Sequence, residues 1–179
     1  GRNENEKILS LAERGYQKFP ESYEFVLMKT AIESKVNSNN ARAIKVMEKY
    51  LKNNYSEAAA NELVSLLFDA GEVQDGLKLL DEMIEYNSIA VGFLNTKSLV
   101  QYNLRNYTAA ERITKECIEI CPYVGAYYVR LGEIYSDAGK TDQAIEAYEN
   151  AISFDPYDYD THSAIRLAKG KKDIFMEFE

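Results

Sequence analysis

A repeat with a period of 34 residues constrains this chain more than any other feature of its sequence. The segment "NYTAAERITKECIEICP" at 106–122 aligns without gaps with "KTDQAIEAYENAISFDP" at 140–156, and Ala110 then matches Ala144. Weaker copies, of which the first runs one residue out of step, lie at 40–56 and 72–88. Self-similarity at a fixed period of this size indicates an array of stacked units rather than one enclosed core.

Each copy has the pattern of two helices joined by a tight turn. In the last copy, "AYYVRLGEIYSDA" at 126–138 precedes Gly139, and Thr141 opens the segment that follows. Glycine is favoured in the left-handed conformation that ends many helices, so Gly139 and Gly71 are predicted to end first helices. Thr141 is predicted to be the N-cap of the second helix, because a threonine hydroxyl can accept a hydrogen bond from a free backbone N–H. The sequence therefore predicts an all-α fold, an α-solenoid of stacked antiparallel helix pairs.

Several residues of the last copy resemble the tetratricopeptide repeat family. That family places an aromatic residue, a Leu-Gly pair, a tyrosine, an alanine, a second aromatic residue and a proline at fixed intervals. Those places are filled here by Tyr128, Leu131, Gly132, Tyr135, Ala144, Tyr148 and Pro156. The match weakens toward the start of the chain, and in the preceding copy Lys97 and Ser98 stand in place of Leu-Gly. The resemblance implies about four repeats wound into a right-handed superhelix, with half-repeats at both ends.

The same resemblance implies that residues 1–179 form a single solenoid. The first segment is predicted to be the second helix of a truncated repeat, and the last a terminal helix with a tail. The successive segments are 4–22, 24–56, 57–90, 91–124, 125–158 and 159–179.

The first and last segments of the chain both contain large apolar residues. Ile8, Leu9 and Leu11 would give the segment 4–22 an uncovered apolar side, although the ends of solenoids usually need a polar cap. We therefore expect this helix either to continue a longer array or to meet another subunit. The tail "KKDIFMEFE" at 171–179 is expected to be a frayed or capping segment.

Small residues are predicted where the two helices of a repeat cross. Gly132 and Ala144 would let the two backbones approach, and large side chains such as Tyr148 would fill the space around the contact. Glycine in place of alanine costs a helix about 1 kcal/mol. That cost is small beside the roughly 2–5 kcal/mol that one large buried side chain contributes.

Charge and composition exclude two classes of partner. The formal net charge is -8, and the only cluster of basic residues is "KGKK" at 169–172, whereas nucleic acids and anionic membranes attract basic surfaces. No apolar run approaches the roughly 20 residues that a membrane span needs. Nucleic acid and membrane are therefore not expected as partners. The compartment stays open between the cytoplasm, which we favour, and the periplasm.

The sequence offers no set of residues suited to catalysis, to a cofactor or to a metal. Its only histidine is His162, and Cys117 and Cys121 are too few ligands for a zinc site. We expect the two cysteines to be small residues beside a helix contact. No nucleophile motif or phosphate-binding loop occurs, so the chain is predicted not to be an enzyme.

The resemblance implies that the first helices line a concave groove. Groove positions are predicted at Asn61, Ser65, Phe68, Asn95, Leu99, Tyr102, Asn103, Arg130, Glu133 and Asp137. Asn61 and Asn95 lie 34 residues apart, and their amides could hold the backbone of an extended peptide, since an amide is both donor and acceptor. Simple surface polarity is the alternative. Some members of the family clamp the carboxylate-rich tails of chaperones, but Glu62 and the two acidic groove residues have the wrong sign for that partner.

These observations predict a noncatalytic scaffold that binds a peptide or protein segment, of mixed or mildly basic character, in the groove. Two alternatives stay open. One is a homo-oligomer that assembles through the terminal helices. The other is the repeat region of a larger enzyme, such as a glycosyltransferase or an envelope assembly factor.

Overall fold

The computed structural model describes the backbone of residues 2–176 and the side chains of residues 7 and 9–170. Within the described residues the chain forms ten α-helices and one π-helix, with no strand. The helices are α1 Arg2–Lys18, α2 Tyr23–Ala31, the π-helix Ile32–Val36, α3 Asn40–Leu51, α4 Glu57–Asp69, α5 Val73–Tyr86, α6 Val91–Asn103, α7 Tyr107–Ile120, α8 Gly125–Asp137, α9 Thr141–Phe154 and α10 Tyr159–Met176. The predicted all-α fold of stacked helix pairs is confirmed.

The helices group into two compact units, which we call unit 1 (residues 1–86) and unit 2 (residues 87–179). Within each unit, every helix packs against the next one along the chain. The core of unit 1 is an aliphatic cluster of α2, α3 and α4 that includes Val26, Met47 and Leu63. The core of unit 2 is built on α8 and α9 and includes Tyr135 and Tyr148. Each unit therefore has its own hydrophobic core.

A left-handed residue ends the first helix of every pair. Gly71 and Gly139 have φ values of +80° and +74°, as the sequence predicted. Two non-glycine residues, Ser38 (φ 51°) and Arg105 (φ 59°), occupy the corresponding turns. The spacing between these four residues is 33, 34 and 34 positions. The repeat in sequence is thus matched by a repeat in backbone conformation.

The prediction that Thr141 caps α9 is wrong. The N-cap of α9 is Lys140, and Thr141, the first helical residue, makes no capping hydrogen bond. The reason is that the carbonyl of Lys140 already accepts the first intrahelical bond, from Ala144 N at 3.0 Å. Side-chain caps do occur in unit 1, where Asn39 accepts from the backbone N–H of Arg42.

Glycine lies at a helix crossing, as predicted. A Cβ at position 132 would come within 2.5 Å of the Tyr148 ring, so only glycine lets α8 and α9 approach this closely. In the preceding pair, the equivalent residues are Ser98 and Thr114, whose buried hydroxyls lie 2.6 Å apart and hydrogen-bond. The crossing is therefore filled by a small and a large residue in one pair and by two medium residues in the other.

The π-helix accounts for the copy that runs one residue out of step. Thr30 and Val64, both buried in first helices, are 34 positions apart, whereas Ser38 and Gly71 beyond those helices are 33 apart. One extra residue therefore lies between Thr30 and Ser38. The π-helix Ile32–Val36 accommodates it, since a π-turn takes in one residue more than an α-turn.

The chain ends are only partly described. On α1, Ala12 is buried but Leu11 is 61 % exposed, so an apolar side chain of this helix does face outward. The side chain of Ile8 and the side chains of the tail at 171–179 lie outside the described residues. None of the helices described here is long and apolar enough to cross a membrane.

Candidate functional site

The predicted groove residues of unit 1 lie on α4. Asn61 and Ser65 are exposed, whereas Phe68 is half-buried. A Cβ at Gly76 on α5 would come within 2.5 Å of the Phe68 ring, so this ring packs on α5. Unit 1 therefore presents two small polar side chains on this helix, while the aromatic residue fills a helix crossing.

The remaining predicted residues lie on α6 and α8 of unit 2. Asn95 and Leu99 are half-buried on α6, and Asn103 is exposed at its end. Arg130 and Glu133 are half-buried on α8, and Asp137 is exposed where that helix ends. The two helices are thus the elements that position any site in this unit.

Four of these residues are in contact with one another, and we call them the Arg130 cluster: Tyr102, Arg130, Glu133 and Asp137. The Tyr102 hydroxyl donates to Asp137 Oδ2 at 2.7 Å. Arg130 Nη1 donates to Glu133 Oε2 at 2.7 Å, and its guanidinium carbon lies 5.7 Å from the centre of the Tyr102 ring. Arg130 therefore stacks on an aromatic face of α6 while it pairs with a carboxylate of its own helix.

The local charges favour a neutral tyrosine in this cluster. Burial, the hydrogen bond to Asp137 and the negative charges of Asp137 and Glu133 raise the pKa of Tyr102 well above its ordinary value. Burial, followed by the same two carboxylates, raises the pKa of Tyr148 behind them to about 12. Tyr102 therefore stays protonated, and its hydroxyl donates a hydrogen bond to Asp137.

An open cavity of about 570 Å³ adjoins the cluster, and we call it the α8 bay. Its wall includes Arg130 and Glu133 of the cluster, Phe154 at the end of α9, and Tyr123, Asp155 and Asp158 from the connecting turns. Tyr123 is 84 % exposed. The sequence analysis did not identify Phe154, Tyr123, Asp155 or Asp158 as site residues. A signal was present for Tyr123, because a tyrosine follows Pro122 and again follows Pro156, 34 positions later.

Arg130 is the residue shared by the cluster and the bay. Its Nε atom is buried and has no hydrogen-bond partner among the described residues. The bay carries one cation, Arg130, and three carboxylates, Glu133, Asp155 and Asp158, so its net charge is negative. Its shape and charge suit a side chain or segment that brings hydrogen-bond acceptors for Arg130 together with positive charge.

Neither cysteine belongs to a metal-binding group among the described residues. Among the described residues, no three His, Cys, Asp or Glu side chains lie close enough together to hold a metal ion. Cys117 is buried on α7, and burial raises the pKa of its thiol to about 11. A protonated, buried thiol packs as a small apolar residue.

The comparisons with known proteins agree with the helix pairs. The family model described as Tetratricopeptide repeat matches residues 126–158. A crystal structure of MamA protein is 21 % identical, covers 86 % of this chain and 84 % of its own, and superposes with a TM-score of 0.69. MamA 41-end from Desulfovibrio magneticus RS-1 is 15 % identical, covers 92 % of this chain and 85 % of its own, and has a TM-score of 0.66. No curated protein matches the sequence significantly.

At such identities the likeness to the MamA structures shows the fold. The match to the tetratricopeptide repeat model covers residues 126–158, where Gly132 and Tyr148 pack at the crossing of the two helices. Arrays of these helix pairs form extended surfaces that bind other proteins. Residues 126–158 therefore match the tetratricopeptide repeat family, and the chain shares the fold of stacked helix pairs seen in the MamA structures.

Proposed function

We propose that this scaffold binds an extended segment of a partner protein along α6 and α8 of unit 2, over the Arg130 cluster and the α8 bay. The observation that carries the proposal is the position of Arg130. It contacts Tyr102 on the neighbouring first helix and also lines the open cavity. A bound segment would therefore meet one connected polar surface rather than scattered side chains.

The chemistry of this surface favours a segment of mixed or mildly basic character. The surplus of carboxylates around the bay attracts positive charge, and the exposed ring of Tyr123 offers an aromatic contact at its rim. On α6, the amide of Asn95 can both donate to and accept from a peptide backbone. Asn61 has the matching place on α4 of unit 1, and its role in holding a peptide stays a prediction.

Selection from a random peptide library, followed by affinity measurements on variants, tests the proposal. Arg130→Ala and Glu133→Ala should each weaken binding of selected peptides by about tenfold or more, because each removes a charged contact at the centre of the surface. The matched control is the exposed ion pair between Arg112 and Glu116, which lie four residues apart on α7. Selected peptides that lose affinity equally in Arg112→Ala would contradict the proposal.

Self-association is a second candidate, favoured by exposed leucines on the terminal helices. Leu11 on α1 is 61 % exposed and Leu167 on α10 is 67 % exposed. Single exposed leucines also occur on monomers, so the oligomeric state in solution is the deciding measurement. Light scattering over a concentration series decides: a rise in mass supports assembly, and a monomer at high concentration contradicts it. A role as part of a larger enzyme stays a prediction.

A further inference from the structure

An open cleft of about 500 Å³ lies in unit 1 between the second helices α3 and α5. Its floor is aliphatic, with Leu67 of α4 and Leu79 of α5 among its side chains. Its rim is acidic and includes Glu48 on α3 and Glu72 at the start of α5. The cleft is lined by four carboxylates and one cation, Lys78, which pairs with Glu82 at 3.7 Å. The lining is therefore strongly negative over an apolar base.

The equivalent cavity in unit 2 is smaller, about 150 Å³, and its lining includes Leu131, Tyr135 and Ala147, the counterparts of Leu63, Leu67 and Leu79. Two lysines lie beside the Tyr135 ring there. Lys115 Nζ lies 2.8 Å from one oxygen of Glu111, and Lys140 Nζ lies 2.8 Å from the other. Both ammonium groups also lie over the ring of Tyr135, at 5.8 Å and 5.4 Å from its centre. Two cations thus bridge α7, α8 and the start of α9 in this unit.

The repeat reverses the charges at these positions in unit 1. Glu72 and Leu67 precede Lys140 and Tyr135 by the same 68 positions. Glu48 precedes Lys115 by 67 positions, one fewer because the first copy carries the extra residue of the π-helix. Both bridging lysines of unit 2 are therefore carboxylates in unit 1.

The charge reversal explains why, among the described residues of the cleft, no ion pair joins α3 to the start of α5. Glu48 and Glu72 have like charges and cannot pair as Lys115 and Lys140 pair with Glu111. The residue at the position of Glu111 is Ile44, which is apolar and buried. The cleft is thus larger than its counterpart beside the two lysines of unit 2, and it has a negative rim at the positions of those cations.

We propose that this cleft binds a basic segment of a partner protein, in which lysine or arginine side chains flank an apolar one. The ammonium or guanidinium groups would pair with Glu48 and Glu72, and the aliphatic stems would lie on the leucine floor. The rim charge repels an acidic segment. This surface lies on second helices of unit 1, so the inference is independent of the peptide surface proposed on α6 and α8.

The test uses a fluorescent helical peptide of lysine, leucine and alanine, and a second peptide in which glutamate replaces every lysine. The whole chain should bind the basic peptide at low ionic strength and release it as salt is added, and it should not bind the acidic peptide. Charge reversal by Glu48→Lys with Glu72→Lys should weaken binding of the basic peptide by about tenfold or more, measured by fluorescence anisotropy. Both residues are exposed, so circular dichroism should show an unchanged fold.

The control variant separates this cleft from the general negative charge of the chain. Glu119→Lys with Glu146→Lys changes the net charge by the same amount, at exposed positions on α7 and α9. It should leave the affinity within about twofold of the unmodified chain, since neither residue lines the cleft and exposed charges are screened. An equal loss in both double variants would overturn the proposal, as would no loss in the cleft variant or no binding by the unmodified chain. If the lysine variant does not fold, Glu48→Gln with Glu72→Gln takes its place with the same expected direction.

Discussion

The ring of Tyr148 lies so close to Gly132 that a Cβ at position 132 would stand 2.5 Å from two of its carbons, Cδ1 and Cε1. The contact joins α8 to α9 at their crossing. Because Tyr148 is itself buried, it has little room to move away. The distance between these two helices therefore depends on the absence of a side chain at this one position.

We predict that Gly132→Leu lowers the melting temperature by several degrees. The added side chain would overpack the crossing, which typically costs about 1–3 kcal/mol. Thermal unfolding followed by circular dichroism measures the effect. Gly92→Leu is the matched control, because its added Cβ would meet no side chain and no other helix within 4 Å, and leucine favours a helix. An unchanged melting curve for Gly132→Leu would show that the glycine is not needed for the contact.

We predict that Arg105→Gly stabilises unit 2. Arg105 has a left-handed backbone, with φ 59°, at the turn where Gly71 and Gly139 stand in the neighbouring pairs. A non-glycine residue in this conformation costs about 1–2 kcal/mol, which glycine avoids in part. Chemical denaturation should show a higher midpoint with an unchanged slope. The reverse change, Gly139→Arg, should lower the midpoint, and a rise there would contradict the argument.

We predict that Thr30→Val stabilises unit 1. Thr30 is fully buried, and its hydroxyl has no hydrogen-bond partner among the described residues. A buried polar group without a partner costs about 1–3 kcal/mol, and valine has nearly the same shape. Valine also stands at the equivalent place in the next pair, at Val64. Denaturant unfolding measures the change, and Thr30→Ser, which keeps the hydroxyl, should be less stable than the original. A less stable valine variant would mean that the hydroxyl is satisfied.

We predict that Glu111 makes the fold sensitive to acid. Hydrogen bonds from Lys115, Lys140 and Tyr135 lower the pKa of Glu111 from 4.5 to about 2. Because the folded pKa is depressed, its stabilising contribution is fully present above pH 4.5 and is lost as the pH falls toward 2. Glu111→Gln should lower the melting temperature at neutral pH and make its fall below pH 4.5 less steep.

The control for this prediction is Glu119→Gln, an exposed carboxylate on the same helix. Its melting temperature should follow that of the unmodified chain across the whole acid range. If Glu111→Gln and the unmodified chain lose the same stability between neutral and acid pH, the ion-paired carboxylate does not govern acid unfolding.

The features that could be predicted from the sequence depend on short-range steric rules. The helix-ending role of Gly71 and Gly139 follows from their freedom at positive φ, and the crossing role of Gly132 follows from its lack of a side chain. Arg105 could not be predicted in the same way, because nothing in an arginine marks a left-handed turn. Only its place in the 34-residue register does so.

Other features depend on the contacts that large side chains make in the folded structure. The sequence placed Tyr102, Arg130, Glu133 and Asp137 on first helices, but not the stacking and hydrogen bonds that join them. It showed the one-residue shift of the first copy, but not the π-helix that accommodates it. The cleft of unit 1 became recognisable only by comparison with Lys115 and Lys140 in unit 2. The sign of the charge at one repeat position therefore indicates a binding surface only when the side chains around it are known.

The most direct test of the central claim is the footprint of a library-selected peptide on the chain, measured by NMR chemical-shift mapping. The account predicts that the largest backbone shifts fall on α8 at Val129, Arg130 and Glu133, and extend to Tyr102 on α6. Shifts confined to second helices, such as Arg112 and Glu119 on α7, with no change around Arg130, would contradict it.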